Sequence, residues 1–131
     1  FVSQALRGAD ITIFGTGQQQ RCFAHVADVV RALLLLMDNK DAVGQVFNVG
    51  GIDELTVEEL AKKIIELTSS KSKMVYIPYE QAYEEGFEDM QRRFPSTERL
   101  RLLTGWMPKA RLDDILRDVI EDERGHIAAS L

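Results

Sequence analysis

The residues whose types and spacing most suggest chemistry lie in ITIFGTGQQQRCFAHVADVV, positions 11 to 30. An apolar run there ends in Gly15-Thr16-Gly17, the first half of a dinucleotide-binding fingerprint. The full fingerprint, G-x-G-x-x-G, needs a helix that opens inside the motif, so that its N-terminus faces a pyrophosphate. Here Gln20 stands at the third glycine position, the following RCFAHV alternates as a strand does, and helical periodicity begins only near Ala27. The glycines are therefore expected to serve a tight reversal, and no cofactor site is expected in this chain.

Arg21 and Phe23 follow at i and i+2, which puts both side chains on one face of a strand. A guanidinium beside an aromatic ring can hold an anionic head group and an adjacent flat base. The plainer alternative makes Arg21 a surface residue and Phe23 a core residue. His25, at the end of that strand and just before a helix, is read as structural rather than as a general base. Cys22 and the two histidines do not make a zinc set at the usual spacing. Glu84, Glu85, Glu88 and Asp89 cluster without a nearby histidine or a defined loop motif and are read as a solvated face. No metal site and no catalytic residue is expected. Trp106 is expected to pack the final helices together, and Asn48 to tie down its own loop through backbone hydrogen bonds.

Short elements must position these groups. DITIF and RCFAHV read as two strands joined by a long polar loop, a hairpin. Ala27 to Met37 reads as a helix, with Asp28 near its start, where a carboxylate favours the helix dipole. VVRALLLLMD is apolar on nearly every side apart from Arg31, so this helix wants burial on more than one side. Left uncovered, it predicts self-association or a swapped homodimer. GQVFNVGG (44 to 51) reads as a buried strand. LTVEELAKKIIELT then carries a capping box at Thr56 and Glu59, a Leu55–Leu60 staple, and one apolar face of Val57, Leu60, Ala61, Ile64 and Ile65. KMVYIP (73 to 78) reads as the next strand, and strand–helix–strand implies a right-handed parallel crossover. After Pro78 an acidic, aromatic loop with one helical stretch is expected. A helix over Thr97 to Leu103 stops at Gly105, and a last helix from about Leu112 frays in its GHIAASL tail. The expected fold class is mixed α/β: one small domain, 1–131, with a hairpin, a crossover and C-terminal helices, but no complete Rossmann domain.

At 131 residues, 45% hydrophobic and 28% charged, the chain has the composition of one compact globular domain. A net charge of -5 argues against a nucleic-acid partner, which demands a basic face. A small phosphorylated ligand needs only one or two well-placed cations. One cysteine excludes an internal disulfide and fits a reducing compartment. The longest apolar run, Ala32 to Met37, is far too short to span a bilayer, and no charged-then-apolar leader is visible. A cytoplasmic protein with no membrane partner is expected. The chain opens at Phe1 and runs straight into FVSQALRG, which reads as a fragment of something longer.

Five landmarks in order, FGTGQQQRCFAHVADVV, VFNVGG, LTVEELAKKI, RRFPSTERLRLLTGWMP and LDDILRDVI, carry a resemblance. From Phe1 to about Val119 the chain resembles the C-terminal, substrate-binding part of the extended short-chain dehydrogenase/reductases that act on nucleotide sugars. These are NAD-dependent epimerases, dehydratases and UDP-glucuronate decarboxylases. The resemblance implies that Arg21 contacts a nucleoside diphosphate, that Phe23 lies near the base or ribose, and that the strand around Thr12 to Phe14 touches the base. It implies a second phosphate-binding arginine, Arg93, just before the F-P-S that replaces the family's x-Pro-Asp. Two guanidiniums suit a pyrophosphate, since each donates a forked pair of hydrogen bonds and neither loses its charge. Ser96 stands where relatives carry aspartate. It can cap the following helix but offers a ribose hydroxyl no charged acceptor. The partner implied is a UDP- or dTDP-linked sugar, with NAD(P) the cofactor of the intact enzyme.

The family's Tyr-x-x-x-Lys pair is absent: Glu80 follows Tyr76, Tyr83 follows Tyr79 and Phe87 follows Tyr83 at four places on. By itself the chain is expected to be inactive, with the NAD-binding half lying upstream. A non-catalytic binding module that has lost its ligand remains the alternative of another class.

Overall fold

A computed structural model describes residues 1–82 and 89–129. It is a mixed α/β structure of short elements, and its strands form two two-stranded sheets, β1 (Ile11–Phe14) with β4 (Met74–Ile77) and β2 (Gln20–Cys22) with β3 (Glu54–Thr56). The chain divides into two compact units: Phe1–Arg21, Leu55–Arg92 and Leu116–Leu131 in the first, Cys22–Glu54 and Arg93–Ile115 in the second. Among the described residues, no helix is long and apolar enough to cross a membrane.

In the first unit β1 and β4 run parallel, with Ile11 opposite Met74 and Phe14 opposite Ile77. Strand alternation buries Ile11 and Ile13 and turns Thr12 and Phe14 to the other face. Ala5 of α1 (Val2–Leu6), Ala61 and Ile64 of α3 (Val57–Thr68), and Leu116 and Ile120 of α6 (Leu112–Ala129) are also buried there. The start of α3 is the capping box its sequence announces: Thr56 Oγ1 accepts the Glu59 amide at 3.1 Å and the Glu59 carboxylate accepts the Thr56 amide at 2.7 Å.

The hairpin expected of DITIF and RCFAHV does not form. Gly15 and Gly17 adopt left-handed φ values of 72° and 74°, and the backbone bonds onward instead of back. The Gly15 amide donates to Ile77, the Glu58 amide to Gly17, and the Gln19 side chain takes the Phe14 carbonyl at 3.0 Å. The turn is thereby tied to β4 and α3, which leaves β1 to pair in parallel. The parallel ladder ahead of KMVYIP thus exists, but β1 rather than GQVFNVGG supplies its partner strand.

The second unit holds α2 (Val26–Met37), a 3-10 turn at Lys40–Ala42 and α5 (Glu98–Thr104). Its core is Ala32, Leu100 and Trp106, with Leu36, Phe47 and Val49 packed against it. Trp106 therefore joins α2 to α5 rather than the last two helices to each other. Residues 46–51 have strand-like composition but make no backbone–backbone hydrogen bond among the described residues. Backbone and side chains approach them closely instead. A Cβ on Gly51 would lie 1.8 Å from the Phe23 carbonyl oxygen, and one on Gly50 would lie 2.3 Å from Pro95 Cγ.

Helix α5 ends at Gly105 in the left-handed conformation, as its sequence predicts. Helix α6 runs to Ala129, so residues 125–129 of the GHIAASL tail are helical and 130–131 lie outside the described residues; Asp122 and His126 pair at i and i+4 there, 3.4 Å apart.

Candidate functional site

In the first unit the turn after β1 gives the glycines their use. A Cβ on Gly15 would fall 2.4 Å from the Tyr79 ring, and one on Gly17 would crowd Glu58, Ile13 and Tyr76 at 3.2 to 3.3 Å. Side chains thus fill the space that a dinucleotide would need beside a glycine-rich turn, and β2 rather than a helix follows. These residues do not fit NAD.

The Tyr79 ring, admitted by Gly15, belongs to α4 (Tyr79–Ala82) and donates its hydroxyl to Asp89 Oδ2 at 3.0 Å. Asp89 in turn takes both oxygens to Arg21, whose Nη2 donates at 2.6 and 2.7 Å. Arg21 Nη1 donates to the carbonyls of Gln20 and Met90 at 2.7 and 2.9 Å. The pair is only 19% and 13% exposed. Arg21 is therefore a seated guanidinium with a carboxylate on Nη2, not an open surface cation. Thr12 Oγ1 accepts from Gln4 at 3.0 Å, while the Phe14 ring is 38% exposed on the same face of β1.

Loss of solvent, then the Glu58 carboxylate, pushes the Tyr76 phenol up. That is the opposite of what a tyrosine poised to lose a proton requires. Beside it the Lys62 side chain, then Tyr76, holds the half-buried Glu58 carboxyl below its usual value. Among the described residues, no group of three or more His, Cys, Asp and Glu is placed to hold a metal ion; Glu84, Glu85 and Glu88 lie outside the described residues.

In the second unit Phe23 is half-buried with its carbonyl under Gly51. Arg93 and Ser96 are exposed. Ser96 lines a cavity of about 340 Å³ together with Gly51, Phe94, Pro95, Glu98 and Arg101. It does not cap α5, whose N-cap is Thr97 without a side-chain bond; the Ser96 carbonyl instead accepts from Asn48 Nδ2 at 3.3 Å. Asn48 thus reaches a distant segment rather than its own loop. Through residues 48–51, Phe23 and Ser96 are held in one local assembly. His25 has the structural place expected of it: as N-cap of α2 its Nδ1 accepts the Ala27 amide at 3.1 Å.

Asp28 is the residue the sequence undersold. Its carboxylate is buried, accepting the amides of Lys109 and Ala110 at 2.8 and 3.0 Å and Arg31 Nη2 at 2.7 Å. Its carbonyl accepts Trp106 Nε1 at 3.0 Å, and Arg31 lies over the Trp106 ring. Burial pushes the carboxyl up, but the two amides and the guanidinium together bring it below the usual aspartate value. Tyr79 and Arg101 were also missed, and Asp89, expected with Glu84, Glu85 and Glu88 to form a solvated face, is instead 13% exposed and paired with Arg21. No local pattern marks Asp89, which lies 68 residues from the arginine it holds.

The family model described as GDP-mannose 4,6 dehydratase matches residues 1–119. Among curated proteins, the chain is 36% identical over 121 residues to a UDP-N-acetyl-alpha-D-glucosaminuronate decarboxylase of Bacillus cytotoxicus, covering 92% of this chain and 37% of that one. A crystal structure of UDP-glucose 4-epimerase from Thermotoga maritima, with UDP-glucose, matches 96% of this chain and 38% of its own with a TM-score of 0.84 and 32% identity. A dTDP-glucose 4,6-dehydratase of Bacillus anthracis, in complex with NAD, matches 92% and 36% with a TM-score of 0.79 and 26% identity.

Proposed function

This chain belongs to the GDP-mannose 4,6-dehydratase family, and from that premise we propose that it is the part of a nucleotide-sugar enzyme that holds the nucleoside diphosphate. Similar proteins include a decarboxylase, an epimerase and a dehydratase in complex with NAD, which supports reading the parent as an enzyme of this NAD-dependent kind. The chain spans only 37% of the decarboxylase's length and 38% of the epimerase's. The redox step is accordingly assigned to the rest of the longer protein, and this chain alone is inactive. The observation that carries the reading is the likeness, at 32% identity over 96% of this chain, to an epimerase with UDP-glucose.

In this proposal Arg21 and Arg93 are the diphosphate ligands, Phe23, Thr12 and Phe14 face the base, and Ser96 lies by the ribose. Binding energy from these unreactive parts of the ligand positions the sugar for chemistry elsewhere. The test is calorimetric titration with UDP, UDP-glucose and dTDP of the wild-type chain and of Arg21→Ala and Arg93→Ala. Each substitution is expected to weaken binding by about tenfold or more; affinities unchanged by both would overturn the assignment. A second reading, a module that has lost its ligand, draws on the closed Arg21–Asp89 pair and on Ser96. It predicts no heat with any of the three ligands.

We also propose that the outer face of α2 is covered in the longer protein and that the isolated chain associates with itself there. Val26, Val30, Leu33, Leu34 and Met37 are all exposed, at spacings that put them on one helical face.

A further inference from the structure

The Nη2 group of Arg21, which a diphosphate would need, is taken by Asp89, and the geometry shows how it is held. Nη1 is anchored by two backbone carbonyls, so the guanidinium plane is fixed by the main chain and not by Asp89. Nη2 alone meets the carboxylate, donating to both oxygens. A phosphate replacing that carboxylate would find the same atom already aimed and would require no movement of the arginine. The carboxylate also has a second partner, the Tyr79 hydroxyl, seated against Gly15. Letting go of Arg21 would therefore not leave Asp89 without a hydrogen bond.

We propose that Asp89 is a specificity-determining residue of the anion site, an internal competitor that a diphosphate must displace from Arg21. Binding is an exchange of carboxylate for phosphate at Nη2. A tethered competitor lowers the apparent affinity of every ligand that uses Arg21 by the fraction of time the arginine is occupied. It leaves untouched any ligand, or part of one, that does not use Arg21. Asp89 thereby decides how much the diphosphate adds to the hold on the nucleoside. This inference rests on Arg21 being a phosphate ligand.

The experiment titrates the full chain with UDP and with uridine, in wild type, Asp89→Asn, Arg21→Ala and the double variant. Asp89→Asn keeps the shape and removes the competing charge. It is expected to tighten UDP by about tenfold, to leave uridine within about twofold, and to lose its gain when Arg21 is also replaced. A purely structural Asp89 would weaken both ligands together, which overturns the proposal. UDP bound no tighter by Asp89→Asn, while Arg21→Ala still weakens it, overturns the exchange and leaves the site standing. UDP binding indifferent to Arg21→Ala in both backgrounds overturns the site reading and the exchange with it. If Asp89→Asn does not fold, the wild-type chain supplies the answer. The Asp89 carboxyl carbon resonance must move when UDP is added, and a stationary signal at saturation refutes the exchange.

Discussion

Replacing Asp28 with asparagine is the sharpest perturbation of the second unit, because it changes charge without changing volume. In the native chain one carboxylate satisfies two backbone amides and a guanidinium while only 4% exposed. An asparagine keeps a single acceptor oxygen and turns an NH2 group toward one of those donors. Hydrogen bonds to charged groups contribute roughly 1.5–3 kcal/mol each, and removing one partner of a buried pair costs roughly 3–5 kcal/mol. Arg31 is partly solvated, with 30% of its side chain exposed, so the lower part of that range applies. We expect a loss of about 2–3 kcal/mol, equivalent to a fall in Tm of about 10 °C for a chain of this size. The pH dependence has a definite sign. The folded-state carboxyl lies below its unfolded value, so its contribution is complete above the unfolded pKa of about 3.9 and is lost as pH falls through the lower native value. Urea unfolding followed by tryptophan fluorescence reports on this unit directly, since Trp106 is the chain's one tryptophan. The gap between wild type and Asp28→Asn should be constant above about pH 5 and close below about pH 4. A difference under about 0.5 kcal/mol at neutral pH, of the size of an ordinary surface substitution, or a gap unaltered down to pH 3, would refute the reasoning.

The other expectations are of different kinds. Gly51→Ala should be among the most damaging single changes, costing more than about 3 kcal/mol, because its Cβ would meet a backbone carbonyl that cannot turn aside; a normal melting curve would contradict this. Thr56→Ala removes the acceptor of the α3 capping box and should cost about 1 kcal/mol, read as a small drop in urea midpoint; no drop would deny the box a stabilising part. Sedimentation velocity at high concentration should show dimers or larger species of the wild-type chain and monomer for Leu34→Glu; a wild-type monomer would remove the α2 surface from consideration.

What could be read in the sequence was local. The Thr56–Glu59 box, the stop at Gly105 and the extent of α2 depend on residues within one turn of each other, so pattern and capping chemistry located them. The ladder partner of β1 did not follow from period. Alternation marks a strand but not its neighbour, and here two left-handed glycines with the Gln19 side chain turned the chain away from a hairpin. Residues 46–51 have the composition of a strand yet no ladder, because composition reports burial rather than pairing. Asp28 was legible as a helix-start carboxylate and not as an anchor, since its amide partners lie some eighty positions downstream. The spacing of Arg21 and Phe23 suggested an anion site, but the carboxylate that governs Arg21 sits in another part of the chain.

Nuclear magnetic resonance of the isotope-labelled chain, titrated with UDP-glucose, bears most directly on the central claim that this polypeptide grips a nucleoside diphosphate. Shifts should concentrate on the side-chain nitrogens of Arg21 and Arg93 and on the amides around Phe14, Phe23 and Ser96. A saturating ligand that leaves those signals in place, or that moves only residues such as Phe47 and Leu103 in the groove beside α5, would contradict it.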